Sequence, residues 1–577
     1  MKKQKRKKTH SGFISAGILA FLLIVTFTFS VGADQLSDRI DKIFAKWDKN
    51  DSPGCALAVY RDGKIIYKRG YGMADLERDV PLSSKSVFDI GSTSKQFVAM
   101  CILLLEEDGK LSLDDDIRKY ISKIPGYGDT ITIRHLIHHT SGIRDYLGLM
   151  AMAGMNFAND FPEEEIIDLI ARQKALNFKP GDEHLYSNSG YFLLAEIVKR
   201  ASGKSLGEFA KENIFIPLQM NNTQFYDDYS RIVKNRAIGY MPEDSGGFRT
   251  ELYLFDLVGD GGVLTSVEDL FLWDQNFYRN KLGKSGQDLI KKMQTKGKLN
   301  NGKDLTYAFA LGIGAYRGLK TVSHGGSWAG YRAQLIRFPE QKFSVACLTN
   351  LGTNNPSKLC KQVADIYLAE NFGQDGKPGK SNVKPAVKPQ FIKLSKSRLQ
   401  KSTGAFRNPE TGSNWELSVK ENRLQAELSS GYTFHFSPVS KNEFHALDAP
   451  VEIKITFVKS GKSGTKNLRV EIEAREAVIY EPFRVFSATP EQLRDYAGDY
   501  YSEELDVTYK IGVKTDTLFA AIKYDPEAIH FKPVLKDEFT VGGMLLNFKR
   551  NEVGAVTGFC VNSGRVKNIC FSKKRGN

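Results

Sequence analysis

The sequence predicts a mixed α/β (α+β) fold. One antiparallel sheet is built from both ends of a long N-terminal block around a helical insertion, and two small antiparallel β-barrels follow. Three observations carry this. Alternating apolar residues mark strands at the start and end of residues 36–374, and helical spacing fills the middle. An internal repeat occupies the remainder of the chain. At 577 residues the chain is too long for one core, and two to four domains are expected.

The N-terminus opens on "MKKQKRKK", with no acid before Asp34, and continues into apolar "FISAGILAFLLIVTFTFS". Val31 and Ala33 suit the small-residue positions before a signal-peptidase cut. Residues 1–33 therefore read as a bacterial export signal, which makes the mature chain secreted or periplasmic. An uncleaved membrane anchor is the alternative, since the run is long.

The block from 34 to 374 begins with helical "LSDRIDKIFAKW". The segment "CALAVYRDGKIIYKRGYG" follows as two strands about an Asp62-Gly63 turn. Strand signals return late, in "YAFALGIGAY", "KTVSHGG", "YRAQLIRF" and "KFSVACLTN", before a closing helix, "PSKLCKQVADIYLAENF". Pairing the early hairpin with the late strands is the simplest packing. The linker at 375–397 is rich in Gly, Pro and Lys, so the block before it is expected to fold alone. Beyond it Leu399, Gly404, Phe406 and Leu424 recur as Leu493, Gly498, Tyr500 and Leu518. Residues 398–482 and 483–577 each have the length of an up-and-down barrel.

The net charge of +14 suggests nucleic acid, but its distribution argues otherwise. The excess sits at the N-terminus and in Lys377, Lys380, Lys384, Lys388, Lys393, Lys396 and Arg398. No basic-aromatic stripe marks the folded portions, so nucleic acid is not an expected partner. Cys55, Cys101 and Cys347 lie in apolar segments as small hydrophobes. Cys560 and Cys570 face each other in sequence across a candidate hairpin, and their pairing stays open. His135, His138 and His139 lack a carboxylate or cysteine at ligand spacing and read as structural. Neither a metal nor a cofactor is expected.

The chemistry concentrates in "DIGSTSKQF". Ser92 and Lys95 stand at i and i+3 on the first turn of an apolar helix that stops at Gly109. Ser-x-x-Lys also occurs at Ser381 and Ser463, in segments that would not hold the pair rigidly. A serine nucleophile needs a base, an orienting group and oxyanion donors. Lys95 is a candidate base if its surroundings leave it neutral. Tyr186 is a candidate proton carrier and Asn188 an orienting amide, with a helix-capping role for Asn188 compatible with that. In "VSHGGSWAGY", a strand with His324, Gly325 and Gly326, the paired glycines permit close approach of the substrate backbone. The Ser327 N–H would join that of Ser92 as an oxyanion hole.

The segments "FDIGSTSKQFVA", "HLIHHTSGIRDY", "LYSNSGYFLLAEIV", "GDGGVLTSVEDL" and "HGGSWAGYRA", in this order, resemble the β-lactamase-related serine hydrolases. That family includes class C β-lactamases, penicillin-binding DD-peptidases, D-aminopeptidases and esterases. The resemblance implies an antiparallel sheet flanked by helices, a helical subdomain, and a site between them. It makes Ser92 the acylated nucleophile and Lys95 with Tyr186 the proton-transfer pair, leaving open which of the two is the base. Where β-lactamases usually carry Lys-Thr-Gly, this chain carries His324, as the D-aminopeptidase branch does. That branch also has two C-terminal lipocalin-like barrels, one of whose loops reaches the cleft. The implied substrates are small peptides, amides or esters, of D-amino-acid or cell-wall origin. Penicillins, whose carboxylate the missing lysine would bind, are implied to be poor ones. Esterase action and a catalytically weak wall-peptide binder stand as alternatives, and the oligomeric state is open.

Overall fold

A computed structural model describes residues 35–372, 390–429, 431–449, 451–459, 466–472, 476–522 and 525–574. The export signal at 1–33, the linker up to residue 389, and both Ser381 and Ser463 lie outside the described residues.

Helix α1 (residues 35–44) leads into strands β1 (Cys55–Arg61) and β2 (Lys64–Tyr71). Helices α2 (Lys95–Glu107) and α3 (Asn188–Ser202) lie in the insertion. Strands β3 (Gly312–Tyr316), β4 (Leu319–Trp328), β5 (Tyr331–Phe338) and β6 (Phe343–Thr349) come next, then helix α4 (Pro356–Tyr367). The six strands form one sheet in the order β3-β4-β5-β6-β1-β2. The early hairpin joins the late strands through β1 against β6, from Cys55 opposite Thr349 to Arg61 opposite Phe343. These two strands are apolar nearly throughout because both of their faces are covered.

On one face α1 and α4 pack Ile40, Phe44 and Val363 against Leu57, Val59 and Val345. On the other, Ala56, Ala58 and Ala346 meet the core of the helical subdomain. Helix α2 runs through that core and is buried from Lys95 to Leu105, which explains an apolar run with no polar face. Among these buried residues Lys95 carries the charge.

Behind this unit stand two closed eight-stranded antiparallel barrels. Barrel 1 runs from the strand Gly404–Arg407 to the strand Val478–Phe483, and barrel 2 from Gly498–Ser502 to Val566–Lys573. The repeated residues Leu399, Phe406 and Leu424, like Leu493, Tyr500 and Leu518, are all buried, so the repeat is a repeated core. Barrel 1 begins earlier than expected. The Ile392 N–H donates to the Pro438 carbonyl at 2.9 Å and Leu394 packs on its core, so the end of the 375–397 segment belongs to it. Cys560 and Cys570 face each other in the last hairpin of barrel 2 and form a disulfide.

Barrel 2 is not a separate appendage. Its interior and the helical subdomain form one continuous apolar cluster. At their junction Arg144 Nη1 lies 2.5 Å from Glu504 Oε1, with side chains only 1% and 8% exposed. The Tyr509 hydroxyl donates to the Met152 carbonyl at 2.6 Å. A block ending near residue 374, expected to fold alone, would leave this apolar contact with barrel 2 uncovered. Among the described residues no helix is long and apolar enough to cross a membrane.

The junction is testable. Glu504→Ala leaves the Arg144 guanidinium buried without its carboxylate, and should cost about 3–5 kcal/mol in urea unfolding. The double change Arg144→Met with Glu504→Leu should recover most of that loss. Equal stability of Glu504→Ala and wild type would show that the contact does not hold the two units together.

Candidate active site

Ser92 sits in a 3₁₀ turn, Gly91–Ser94, and Lys95 opens α2 directly behind it. This spacing sets the Lys95 amine 3.0 Å from Ser92 Oγ. The same nitrogen donates to Asn188 Oδ1 at 3.0 Å and to the Asp260 carbonyl at 2.5 Å. The last two oxygens can only accept. They occupy two N–H bonds of Lys95 and leave its third position facing Ser92. An ammonium would donate there, whereas a neutral amine would receive the Ser92 proton. One cage thus serves both states of a proton transfer.

Asn188 is the first residue of α3, and Ser187 precedes it as the cap. The expected capping role is corrected accordingly. Its backbone N–H donates instead to Asp145 Oδ2 at 2.7 Å, which fixes the start of the helix. Asp260 comes from the "GDGG" loop. Burial pushes its carboxyl up to about 6 against the pull of the Lys95 charge, and the Tyr146 hydroxyl donates to it at 3.1 Å. Tyr186 lies on the other side, with the Lys95 amine 5.0 Å from its ring centre. Its hydroxyl is buried and has no hydrogen-bond partner among the described residues.

Gly325 and Gly326 line the cleft, and Gly326 also serves a close approach within the protein itself. A Cβ at Gly326 would stand 1.8 Å from the Ile90 carbonyl oxygen, and one at Gly91 2.7 Å from the Ser327 nitrogen. Only glycine lets the nucleophile turn and β4 approach this closely. The Ser92 nitrogen would stand 3.2 Å from the same Gly326 Cβ, so the backbone segments that carry the Ser92 and Ser327 N–H groups lie against each other.

Both ring nitrogens of His324 are engaged within the protein. Its Nδ1 lies 2.6 Å from the Gly325 carbonyl, an obligate acceptor, so Nδ1 carries the proton. Its Nε2 then accepts from the Tyr307 hydroxyl at 3.0 Å. Tyr307 in turn accepts from His139 Nε2 at 3.2 Å, while His139 Nδ1 accepts from the Ser187 N–H at 3.2 Å. Backbone groups at both ends fix every tautomer in the chain. Burial, reinforced by the Lys95 charge, pulls His324 down to about 4 and His139 well below its usual value. The three neighbouring histidines part company: His135 caps a helix, His138 packs on Phe309, and His139 stacks on Tyr186 at 4.1 Å. No group of His, Cys, Asp or Glu among the described residues is placed to hold a metal ion.

Ser92, Tyr186, Asn188, Asp260 and the β4 segment from His324 to Ser327 line a cleft of about 800 Å³ between sheet and helical subdomain. Phe255, Leu257 and Trp328 form an apolar wall, and Asp448 of barrel 1 and Arg565 of barrel 2 reach its rim.

Residues 40–365 match the beta-lactamase family model. The chain belongs to the beta-lactamase family. It is a serine hydrolase of that family. Penicillin-binding protein 4* of Bacillus subtilis is 29% identical over 71% of this chain and 91% of its own length. A D-aminopeptidase of Brucella melitensis is 23% identical over 90% of this chain and 96% of its own, so that likeness includes the barrels. Among solved structures, the octameric penicillin-binding protein homologue of Pyrococcus abyssi matches with a TM-score of 0.54 and 25% identity. It covers 78% of this chain and 99% of its own.

Ser92, Lys95, Tyr186, Asn188, His324, Gly325, Gly326 and Ser327 thus come together around one cleft. The sequence reading missed His139, Asp145 and Asp260 as site residues, although each lies within a family-like segment. Tyr307 and Arg565 lie in no such segment, and no sequence signal marks them.

The neutral histidines give stability a pH dependence of known sign. An unfolded histidine binds its proton near pH 6.5, whereas folded His324 resists until about 4. Between those values acid favours the unfolded chain, so this contribution is present above about pH 6.5 and lost as the pH falls towards 4. Asp89 and Asp260, raised by burial, act in the opposite sense, so the effect is read by comparison. His324→Gln should lose about 2 kcal/mol less than wild type between about pH 7.5 and 4.5. Parallel stability curves for the two proteins would contradict a neutral buried His324.

Proposed function

We propose that this chain is an exported amidase or peptidase acting through a Ser92 acyl-enzyme on small substrates of D-amino-acid or cell-wall origin. The observation that carries the reading is the Lys95 amine. Two of its hydrogens are committed to Asn188 and Asp260, and its remaining position points at Ser92 Oγ.

In its unprotonated form Lys95 takes the Ser92 proton as Oγ bonds to the substrate carbonyl carbon. The developing oxyanion accepts from the N–H groups of Ser92 and Ser327. As the C–N bond breaks, the proton passes to the departing amine. The Tyr186 hydroxyl, which has no hydrogen bond among the described residues, is available to relay it. Water then attacks the ester, gives its proton to the same base, and releases Ser92. Two kinds of relative support the substrate class: a penicillin-binding protein and D-aminopeptidases. The Cys560–Cys570 disulfide supports export to an oxidising compartment.

The test is covalent labelling by a fluorophosphonate, together with turnover of a D-aminoacyl anilide. Wild type should be labelled and Ser92→Ala should not. The same substitution should lower kcat/KM by about 10³-fold or more with the fold intact. Comparable turnover in the variant would overturn the acyl-enzyme.

A further inference from the structure

Position 324 lacks the cation that would hold a substrate carboxylate, yet the cleft has another, brought from barrel 2. Strands β7 (Val556–Ser563) and β8 (Val566–Lys573) form the last hairpin of that barrel, and Arg565 stands in the turn between them. The backbone of this turn is fixed from several sides. Its Arg565 carbonyl accepts from the Asp145 N–H at 3.3 Å and from Asn177 Nδ2 at 2.8 Å. The next-but-one residue, Lys567, donates its N–H to Asn177 Oδ1 at 2.8 Å. Behind the turn the Cys560–Cys570 disulfide ties the two strands together.

The backbone is thus immobilised while the side chain is left available. The guanidinium lies 4.8 Å from the Tyr186 ring centre, the same ring that Lys95 approaches at 5.0 Å. It makes no hydrogen bond among the described residues. The carboxylate oxygen beside it, Asp145 Oδ2, is 3.9 Å away and already accepts from Asn188 at 2.7 Å. The side chain is 48% exposed and lines the cleft together with Ser92. A planar cation, held at its root and unsatisfied at its head, fits a two-oxygen anion. The other arginine of the cleft, Arg332, already donates through Nη1 to the carbonyls of Ala329 and Tyr331.

We propose that Arg565 is the receptor for a substrate carboxylate, so that barrel 2 supplies the charge absent from position 324. The preferred substrates then carry a free carboxylate beside the scissile amide, as an N-acylated dipeptide does. This rests on the reading of Ser92 as the acylated nucleophile.

The two are separated by a protection experiment on the full chain. A fluorophosphonate labels Ser92 while N-acetyl-D-alanyl-D-alanine or its C-terminal carboxamide competes. The acid should protect wild type at about ten- to a hundredfold lower concentration than the amide. Arg565→Ala should bring that ratio close to one, with protection in each protein scored against its own labelling rate without competitor, and Arg565→Lys should keep part of it. If wild type is not labelled at all, the hydrolase reading falls and the receptor falls with it. If wild type is labelled but the acid protects no better than the amide, the receptor alone is overturned. It is likewise overturned if Arg565→Ala weakens both competitors equally, which would mark a structural prop for Tyr186. Loss of the preference in Arg332→Ala, rather than in Arg565→Ala, would overturn it too.

Discussion

The site depends on one buried amine. Lys95 has no exposed surface, and a charge or a strong donor in that position is tolerable only if each of its hydrogens finds an oxygen. The three oxygens come from three places: the turn before α2, the first residue of α3, and the 259–262 loop. Each segment must therefore be positioned to within a fraction of an ångström of the others. Much of the surrounding architecture answers that demand. Asp145 fixes the start of α3 through the Asn188 N–H, and Gly91 lets β4 pack hard against the nucleophile turn.

Burial sets the electrostatics of the neighbouring imidazoles, and the same amine adds to it. A protonated imidazole near Lys95 would place two cations in an apolar interior, and the positive charge there helps hold His139 and His324 neutral. Neutral histidines must then choose tautomers, and the Ser187 N–H and Gly325 carbonyl make the choice from the two ends. His324 is consequently a structural link between β4 and the helical subdomain. With no lysine at this position, the cleft keeps the buried Lys95 amine, and of its two lining arginines Arg332 belongs to the family domain and Arg565 to barrel 2.

What was legible in the sequence follows a physical pattern. Contiguous apolar periodicity revealed β1, β6 and α2, because two-sided burial leaves little room for polar residues. The repeat revealed both barrels, because barrel interiors constrain the same positions twice. Ser92 and Lys95 were legible because a helical turn brings i and i+3 together without help from tertiary structure. Tyr307 and Arg565 were not. Tyr307 meets His139 across 168 positions, and Arg565 reaches Asp145 only when a whole barrel docks correctly. The linker misled about the barrel docking, since a Gly/Pro-rich connection reports local composition and is silent about a distant interface such as Arg144 with Glu504. The role of the glycines was also hidden. Sequence shows that a backbone is approached closely, but not by what.

The two barrels repeat the same core positions and differ at their surfaces, and the difference points towards the cleft. In the second copy Cys560 and Cys570 brace the hairpin that ends in Arg565. The aligned positions of the first copy hold Thr465-Lys466 and Arg475-Glu476, so that brace is absent from its sequence. Barrel 1 instead meets barrel 2 through Arg407 and Glu538, and contributes Asp448 to the far rim, where His435 Nδ1 lies 2.7 Å from it. One copy thus carries a braced cation to the rim of the cleft while the other packs beside it. A disulfide across a single hairpin closes only a short loop and stabilises the whole protein little by chain entropy. Its value here is positional: it limits how far the Arg565 turn can splay away from a cleft whose own residues supply no second cation at position 324.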